Sequence, residues 1–232
     1  MPQPIVVITG AAGALGRAVA ADFRERGARL MLVDVDAGAL RSVFAGHGND
    51  QVLVATDLTD SVASGRALAT VFAEHGAAAV LCNIAGGFDA GSPVHETAAE
   101  VWRRMQDLNV ATLVNACKAT VPEMIAARHG KIVNVAAASA MSGKPGMCAY
   151  CAAKSAVARL TESMAAELRT SGINVNAVAP SIIDTPANRA AMPDADPGNW
   201  VSPKSLAAVI RFLASEDAAA IHGAVIPVVG LS

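Results

Sequence analysis

The chain has 232 residues, 53% hydrophobic and only 16% charged, enough to bury one large core in a single domain spanning residues 1–232. A net charge of −2 and an aromatic content of 3% exclude a basic face or a stacking platform for nucleic acid. No apolar run reaches membrane-spanning length, and four scattered cysteines behind an N-terminus without a charged-then-apolar leader predict a reducing, cytoplasmic setting.

The first predicted strand, Ile5-Val6-Val7-Ile8, runs into Thr9-Gly10-Ala11-Ala12-Gly13-Ala14-Leu15-Gly16 and then into the helix-like stretch from Arg17 to Phe23. Small residues in such a turn let backbone N–H groups approach a pyrophosphate at the positive end of a helix. A turn that merely packs a helix on a strand uses the same glycines, so context must decide. Gly27 is a natural helix stop, and Arg29 to Val33 reads as a buried second strand ending at Asp34, 24 residues beyond Gly10. An acidic side chain there can accept from both hydroxyls of an adenosine ribose and repels a 2′-phosphate, which favours NAD over NADP.

Gln51 to Ala55 is predicted as a third strand, followed by Asp57 and a helix from about Asp60 to Glu74. Ala79 to Cys82 makes a fourth, running into Asn83-Ile84-Ala85-Gly86-Gly87, whose glycines leave room for a ligand above the sheet or simply form a turn. Two helical segments are expected, at about Ala98–Asn109 and Ala111–Arg128, then a strand from Lys131 to Val135. A helix at about Ala149–Thr170 and a strand from Asn174 to Val178 follow, and Ser202-Pro203 starts a last helix before the seventh strand, Ala224 to Val228. This alternation is the pattern of an α/β fold: a Rossmann-type, doubly wound parallel sheet of seven strands with helices on both faces. Ligands collect at the carboxyl ends of such strands, where Gly10–Gly16, Asp34, Asp57 and Asn83 all fall.

Tyr150 and Lys154 lie four apart in a predicted helix, so both project from one face. An ammonium there is expected to lower the phenol's pKa from about 10 toward the useful range. Cys148 and Cys151 form a C-x-x-C, but no second close Cys or His pair completes a metal set, and no metal is expected.

Together the Thr9–Gly16 turn, Asp57, Asn83-x-Ala85-Gly86, Asn109, Tyr150-x-x-x-Lys154 and Pro180 to Thr185 resemble the motifs of the short-chain dehydrogenase/reductase family over nearly the whole chain. The resemblance implies an NAD(P)-dependent oxidoreductase with Tyr150 as general acid/base. Lys154 would bind the nicotinamide ribose and lower the tyrosine's pKa, and Asn109 would hold a water in a proton relay. It implies cofactor contacts from Gly10, Gly13, Leu15, Gly16, Asp34, Asp57, Leu58, Asn83, Ala85, Tyr150, Lys154, Pro180 and Thr185. It also implies a small-molecule substrate and a homo-oligomer, dimer or tetramer, paired through the helices at about Ala111–Arg128 and Ala149–Thr170.

Three positions depart from the family pattern. Ala14 and Ser181 stand where glycine is usual, and the methyl group of Ala14 is expected to be tolerated. Ala137, thirteen residues before Tyr150, stands where the family carries its catalytic serine. Losing such a hydrogen-bond donor typically costs about 3–4 kcal/mol of transition-state stabilisation. Ser139 would point to the same side if the chain stayed extended, and a rearranged loop could bring Ser139 or Ser142 inward.

A second similarity, of Asp184-Thr185-Pro186 through Met192-Pro193 to Trp200, is to the corresponding segment of dihydropteridine reductases, a branch that also lacks the serine. Its electron-poor conjugated substrate needs less help from an oxyanion donor, and the loop at about residues 181–202 would be the substrate lid. The alternatives are an alcohol dehydrogenase or ketone (3-oxoacyl-type) reductase, and a non-catalytic dinucleotide-binding protein.

Overall fold

A computed structural model of the chain describes residues 5–46, 48 and 50–232. Seven strands, β1 (Ile5–Thr9), β2 (Arg29–Asp34), β3 (Gln51–Ala55), β4 (Val80–Asn83), β5 (Gly130–Val135), β6 (Ile173–Pro180) and β7 (Val225–Val228), form one sheet in the order 3-2-1-4-5-6-7. Every pairing is parallel. The order reverses between β1 and β4, so a crevice opens above their carboxyl ends.

Strand side chains alternate between two cores. Val6 and Ile8 of β1 face one, with Leu15, Val19 and Phe23 of α1 (Ala14–Arg24), Leu40 and Phe44 of α2 (Ala37–Phe44), and Leu206 and Ile210 of the last helix. Ile5 and Val7 face the other, with Leu68 and Phe72 of α3 (Ser61–His75) and the two long central helices. Burial on both faces explains why the strands read as continuous apolar runs.

The helix α2 was not foreseen in the sequence: it is eight residues long and carries two glycine or serine positions, so its periodicity is weak. Asp36 nucleates it, Oδ1 accepting from the N–H groups of Gly38 and Ala39 at 2.8 and 2.9 Å. The expected break near Val110 is also absent. Instead α4 (Ala99–Gln106) passes through a π-helical turn, Asp107–Ala111, directly into α5 (Thr112–Ala127). Such a turn fits one additional residue into a helix and is often found at functional sites.

Beyond β5 a 3-10 turn, Ala138–Met141, leads to α6 (Cys148–Leu168). Ile183 and Val201 pair as an isolated parallel bridge, closing off a segment that holds the short helix α7 (Pro186–Ala191). The last helix, α8 (Pro203–Leu213), starts as the sequence predicts, with Ser202 Oγ accepting from Ser205 N–H at 3.0 Å and Pro203 at its first position. Among the described residues no helix is long and apolar enough to cross a membrane.

Candidate active site

The glycine-rich turn is shaped by backbone crowding. Gly10 sits at φ +62°, and a Cβ there would come within 2.9 Å of the backbone of Ala85. At Gly16 a Cβ would lie 2.2 Å from the carbonyl oxygen of Gly10. Gly13 caps α1 without a side chain, so the first helical N–H groups have no side-chain acceptor and suit an anion. Ala14 occupies the first helical position half-buried, and its methyl group is accommodated. Thr9 holds the turn against the loop after β4: its Oγ1 accepts from the N–H groups of Ile84 and Ala85 at 3.0 and 3.1 Å.

Asp34 is tied to the same turn, its Oδ2 accepting from Ala12 N–H at 3.0 Å and its Oδ1 from Asp36 N–H at 3.3 Å. Asp57 Oδ1 accepts from the backbone N–H and the hydroxyl of Thr59 at 2.8 and 2.7 Å. Leu58 is buried, and its carbonyl accepts from Asn115 Nδ2 at 2.8 Å. A cleft of about 830 Å³ runs past Gly10, Gly13, Leu15, Gly16, Asp34, Asp57 and Leu58 to Ala85, Gly86 and Thr185, within the roughly 300–1,000 Å³ of cofactor and ligand clefts. These residues fit a dinucleotide: a glycine cradle that a side chain would fill, a free helix start, and an anchored carboxylate at the far end.

Asn83 and Pro180 stand at the carboxyl ends of β4 and β6. The Asn83 side chain is turned into the sheet, where Nδ2 donates to Asn134 Oδ1 at 2.9 Å, and Asn134 in turn donates to Thr161 Oγ1 at 2.9 Å. Pro180 is the buried last residue of β6. Neither belongs to the cleft lining among the described residues.

Behind Gly86, which lines the cleft, lie buried side chains from the π-helical turn and α6. The π-helical turn aims Asn109 at Gly87, accepting from its N–H at 3.2 Å and donating to its carbonyl at 3.1 Å. Lys154 of α6 is buried, its Nζ donating to the carbonyl of Val135 at the end of β5, at 2.8 Å. Both meet at Gly86, where a Cβ would lie 2.7 Å from Asn109 Oδ1 and 3.4 Å from Lys154 Nζ.

Tyr150, one turn before Lys154, packs with its ring edge-on to Phe88, centroids 4.9 Å apart at 75°. Burial pushes the phenol up to about 12, with Cys151 adding to the shift, and burial lowers Lys154 to about 8. The expected lowering of the phenol's pKa by its lysine neighbour is therefore not what this arrangement produces. Loss of water around the ring dominates its proton affinity.

Ala137 is extended and only 3% exposed. The chain does not stay extended beyond it, so the alternation that would have carried Ser139 to the same side fails. Ser139 sits in the 3-10 turn, its carbonyl accepting from Cys151 Sγ at 3.3 Å, and Ser142 is exposed beyond the turn. Cys148 Sγ lies 3.3 Å from Thr97 Oγ1. Buried Cys82 and Cys117 have thiols pushed up to about 12 by desolvation, which makes them unreactive.

Thr185 lines the cleft and caps α7, its Oγ1 accepting from Asn188 N–H at 3.1 Å. Beside it Asp184 takes a two-pronged bond from Arg189, at 2.6 and 2.9 Å, which holds the carboxyl below its usual range.

Residues 4–196 match the family model described as short chain dehydrogenase. The chain belongs to the short-chain dehydrogenase family. It is 36% identical to a cis-4-hydroxycyclohexanecarboxylate dehydrogenase of Sinomonas cyclohexanicum, over 98% of this chain and 96% of that one. A meso-2,3-butanediol dehydrogenase of Serratia marcescens is also 36% identical, over 97% and 93% of the two chains. Among solved structures, an NAD+-bound xylitol dehydrogenase superposes with a TM-score of 0.91 at 26% identity, covering 98% of both chains. ElxO with NADP bound gives 0.91 at 25% identity, again over 98% of both. This short-chain dehydrogenase is accordingly an NAD(P)-dependent oxidoreductase of small substrates.

Asn115 and Phe88 were not singled out in the sequence, and Thr9 was read only as the start of the turn. A scarce aromatic directly after Ala85-Gly86-Gly87 was the available signal for Phe88.

Proposed function

We propose that this short-chain dehydrogenase moves a hydride between NAD(H) and a small substrate, with Tyr150 exchanging the proton. The convergence of Asn109 and Lys154 on Gly86 supports this best, because Gly86 lines the cleft and the proposed relay residues lie directly against it. When bound, the nicotinamide cofactor supplies or takes the hydride.

The N–H groups from Gly13 to Gly16 would hold the pyrophosphate, with Gly10 giving the close approach. Asp34 would hold the adenosine ribose, and Asp57 and Leu58 the base. Ala85, the backbone of Asn83, Pro180 and Thr185 would flank the nicotinamide end, and Lys154 its ribose. The Asp34 carboxylate, with Asp36 two residues on, favours NADH over NADPH by repelling a 2′-phosphate. A phenol that keeps its proton at neutral pH suits donation to a reduced product. Asn109 would hold a relay water, and residues 181–202 would form the lid over the substrate. We further place the protein in the cytoplasm, consistent with four free cysteines, as a homo-oligomer paired through α5 and α6.

Ala137 favours an electron-poor substrate of the kind dihydropteridine reductases take, since no hydroxyl stands there to stabilise an oxyanion. A second reading, a secondary alcohol or ketone, draws on the dehydrogenase names of the relatives. NADH oxidation by quinonoid dihydropterin and by a ketone panel, with wild type and Ala137→Ser, separates the two. The first reading expects dihydropterin turnover in wild type and a gain on ketones only in the serine variant. Efficient ketone reduction by wild type would establish the second, and intact NADH binding without turnover of anything would sink both.

A further inference from the structure

Phe88 is 62% exposed, yet the residues on either side of it are tied down. On one side Asn109 bonds both the N–H and the carbonyl of Gly87. On the other, Asp89 is paired with Arg104 of α4. Further along, Gly91 N–H donates to the carbonyl of Gly146 at 2.8 Å, tying this loop to the segment that leads into Tyr150. The ring stands edge-to-face with the chain's one tyrosine, and edge-to-face packing fixes ring orientation. A large apolar side chain clamped at both neighbours, left open to solvent beside the proposed proton donor, is built to touch something.

The opposite requirement is met at Ala137, which brings a methyl group where a hydroxyl would grip a substrate oxygen. We infer that Phe88 is a specificity-determining residue that grips a ring-shaped, largely apolar substrate by its face, so that the substrate is positioned by ring contact rather than by a hydrogen bond from the end of β5. This rests on the proposed hydride-transfer reading and names its substrate class. An open-chain polyol would have to strip water from its hydroxyls against a phenyl ring that offers no partner, and would be disfavoured.

The test compares cyclohexanone with dihydroxyacetone as oxidants of NADH in the Ala137→Ser variant, where both readings expect ketone turnover, alone and combined with Phe88→Ala or Phe88→Trp, with oligomeric mass, NADH affinity and melting midpoint recorded for each. Phe88→Ala should raise KM for cyclohexanone by about 10-fold or more, the range for losing an apolar contact. It should leave kcat within about threefold and dihydroxyacetone nearly unaffected, and Phe88→Trp should keep the ring preference. Equal losses on both substrates, or a fall in kcat alone, would mean that Phe88 only props Tyr150 and would overturn the inference. A change of oligomeric mass in Phe88→Ala would do so too, by assigning the ring to contact with a second copy.

Cyclohexanol binding to the NAD+ complex of Tyr150→Phe, measured by calorimetry with and without Phe88→Ala, reads the contact without turnover. Binding that weakens about 10-fold when Phe88 is removed upholds the ring contact even if the hydride-transfer reading fails. No binding, or binding indifferent to Phe88, refutes it even if turnover is found.

Discussion

At the Gly10–Gly16 end of the cleft the shape is set by main chain pressed against main chain: a Cβ at Gly16 would stand 2.2 Å from a carbonyl oxygen. Behind Gly86 side chains gather from the π-helical turn, α6 and the loop after β4, with Asn109, Lys154, Tyr150 and Phe88 separated by up to 66 residues in sequence. The first end tolerates almost no change in residue size at Gly10 or Gly16. The second depends on burial and proton affinity, and accepts changes of kind such as Ala137. Binding and chemistry are thus separable, and substitutions can pull them apart.

The largest effect is expected at the rigid end. Gly16→Ala has no room without moving backbone, so NADH affinity should fall by about 100-fold or more, or the chain should fail to fold. Fluorescence titration with a parallel thermal melt reads both, and wild-type affinity in a folded variant would contradict the crowding.

Tyr150→Phe should do the reverse. Loss of a proton donor costs about 10²–10⁴-fold in turnover, while NADH affinity should stay within about threefold. A large affinity loss would mean that the two ends are not independent.

Asp34→Ala should raise the ratio of NADPH to NADH use by about tenfold, since roughly 1.4 kcal/mol of charge repulsion is removed. An unchanged ratio would refute the assignment.

The smallest effect concerns stability. Lys154 titrates near 8 when folded against 10.5 for the free side chain. Between those values the unfolded chain binds more protons, so stability should rise with pH. Tyr150, raised from 10.0 to about 12, opposes the trend above about pH 10. The melting midpoint should therefore climb from about pH 8 to about pH 10 in wild type, and Lys154→Met should flatten that rise. A flat wild-type profile would argue that the buried ammonium is better compensated than its single bond to the Val135 carbonyl indicates.

The same contrast decides what the sequence discloses. Seven apolar strands, the glycine turn, Asp34 and the Ser202-Pro203 helix start follow local rules of burial, backbone freedom and capping, and all were legible. The eight-residue α2 was not, because a short helix leaves too few turns for a periodic stripe. That the Asn83 amide lies within the sheet was hidden, because which way a buried polar side chain turns depends on a partner 51 residues away. The phenol's raised proton affinity was equally hidden, since it comes from packing rather than from the lysine four positions on. Phe88 carries no motif: its meaning arises only once Asn109 and Arg104 are seen to clamp its neighbours.

The π-helical turn at Asp107–Ala111 means that the long helix carries a residue its own winding does not need. Deleting Val110 would let the helix rewind evenly, but each residue subtends about 100° of arc. One half would have to swivel by that angle: either Asn109 swings off Gly87, or the apolar stripe of Leu113, Ala116 and Met124 rolls off the sheet. The surplus residue acts as a phase shifter between a segment that serves the reaction and a segment that serves the core.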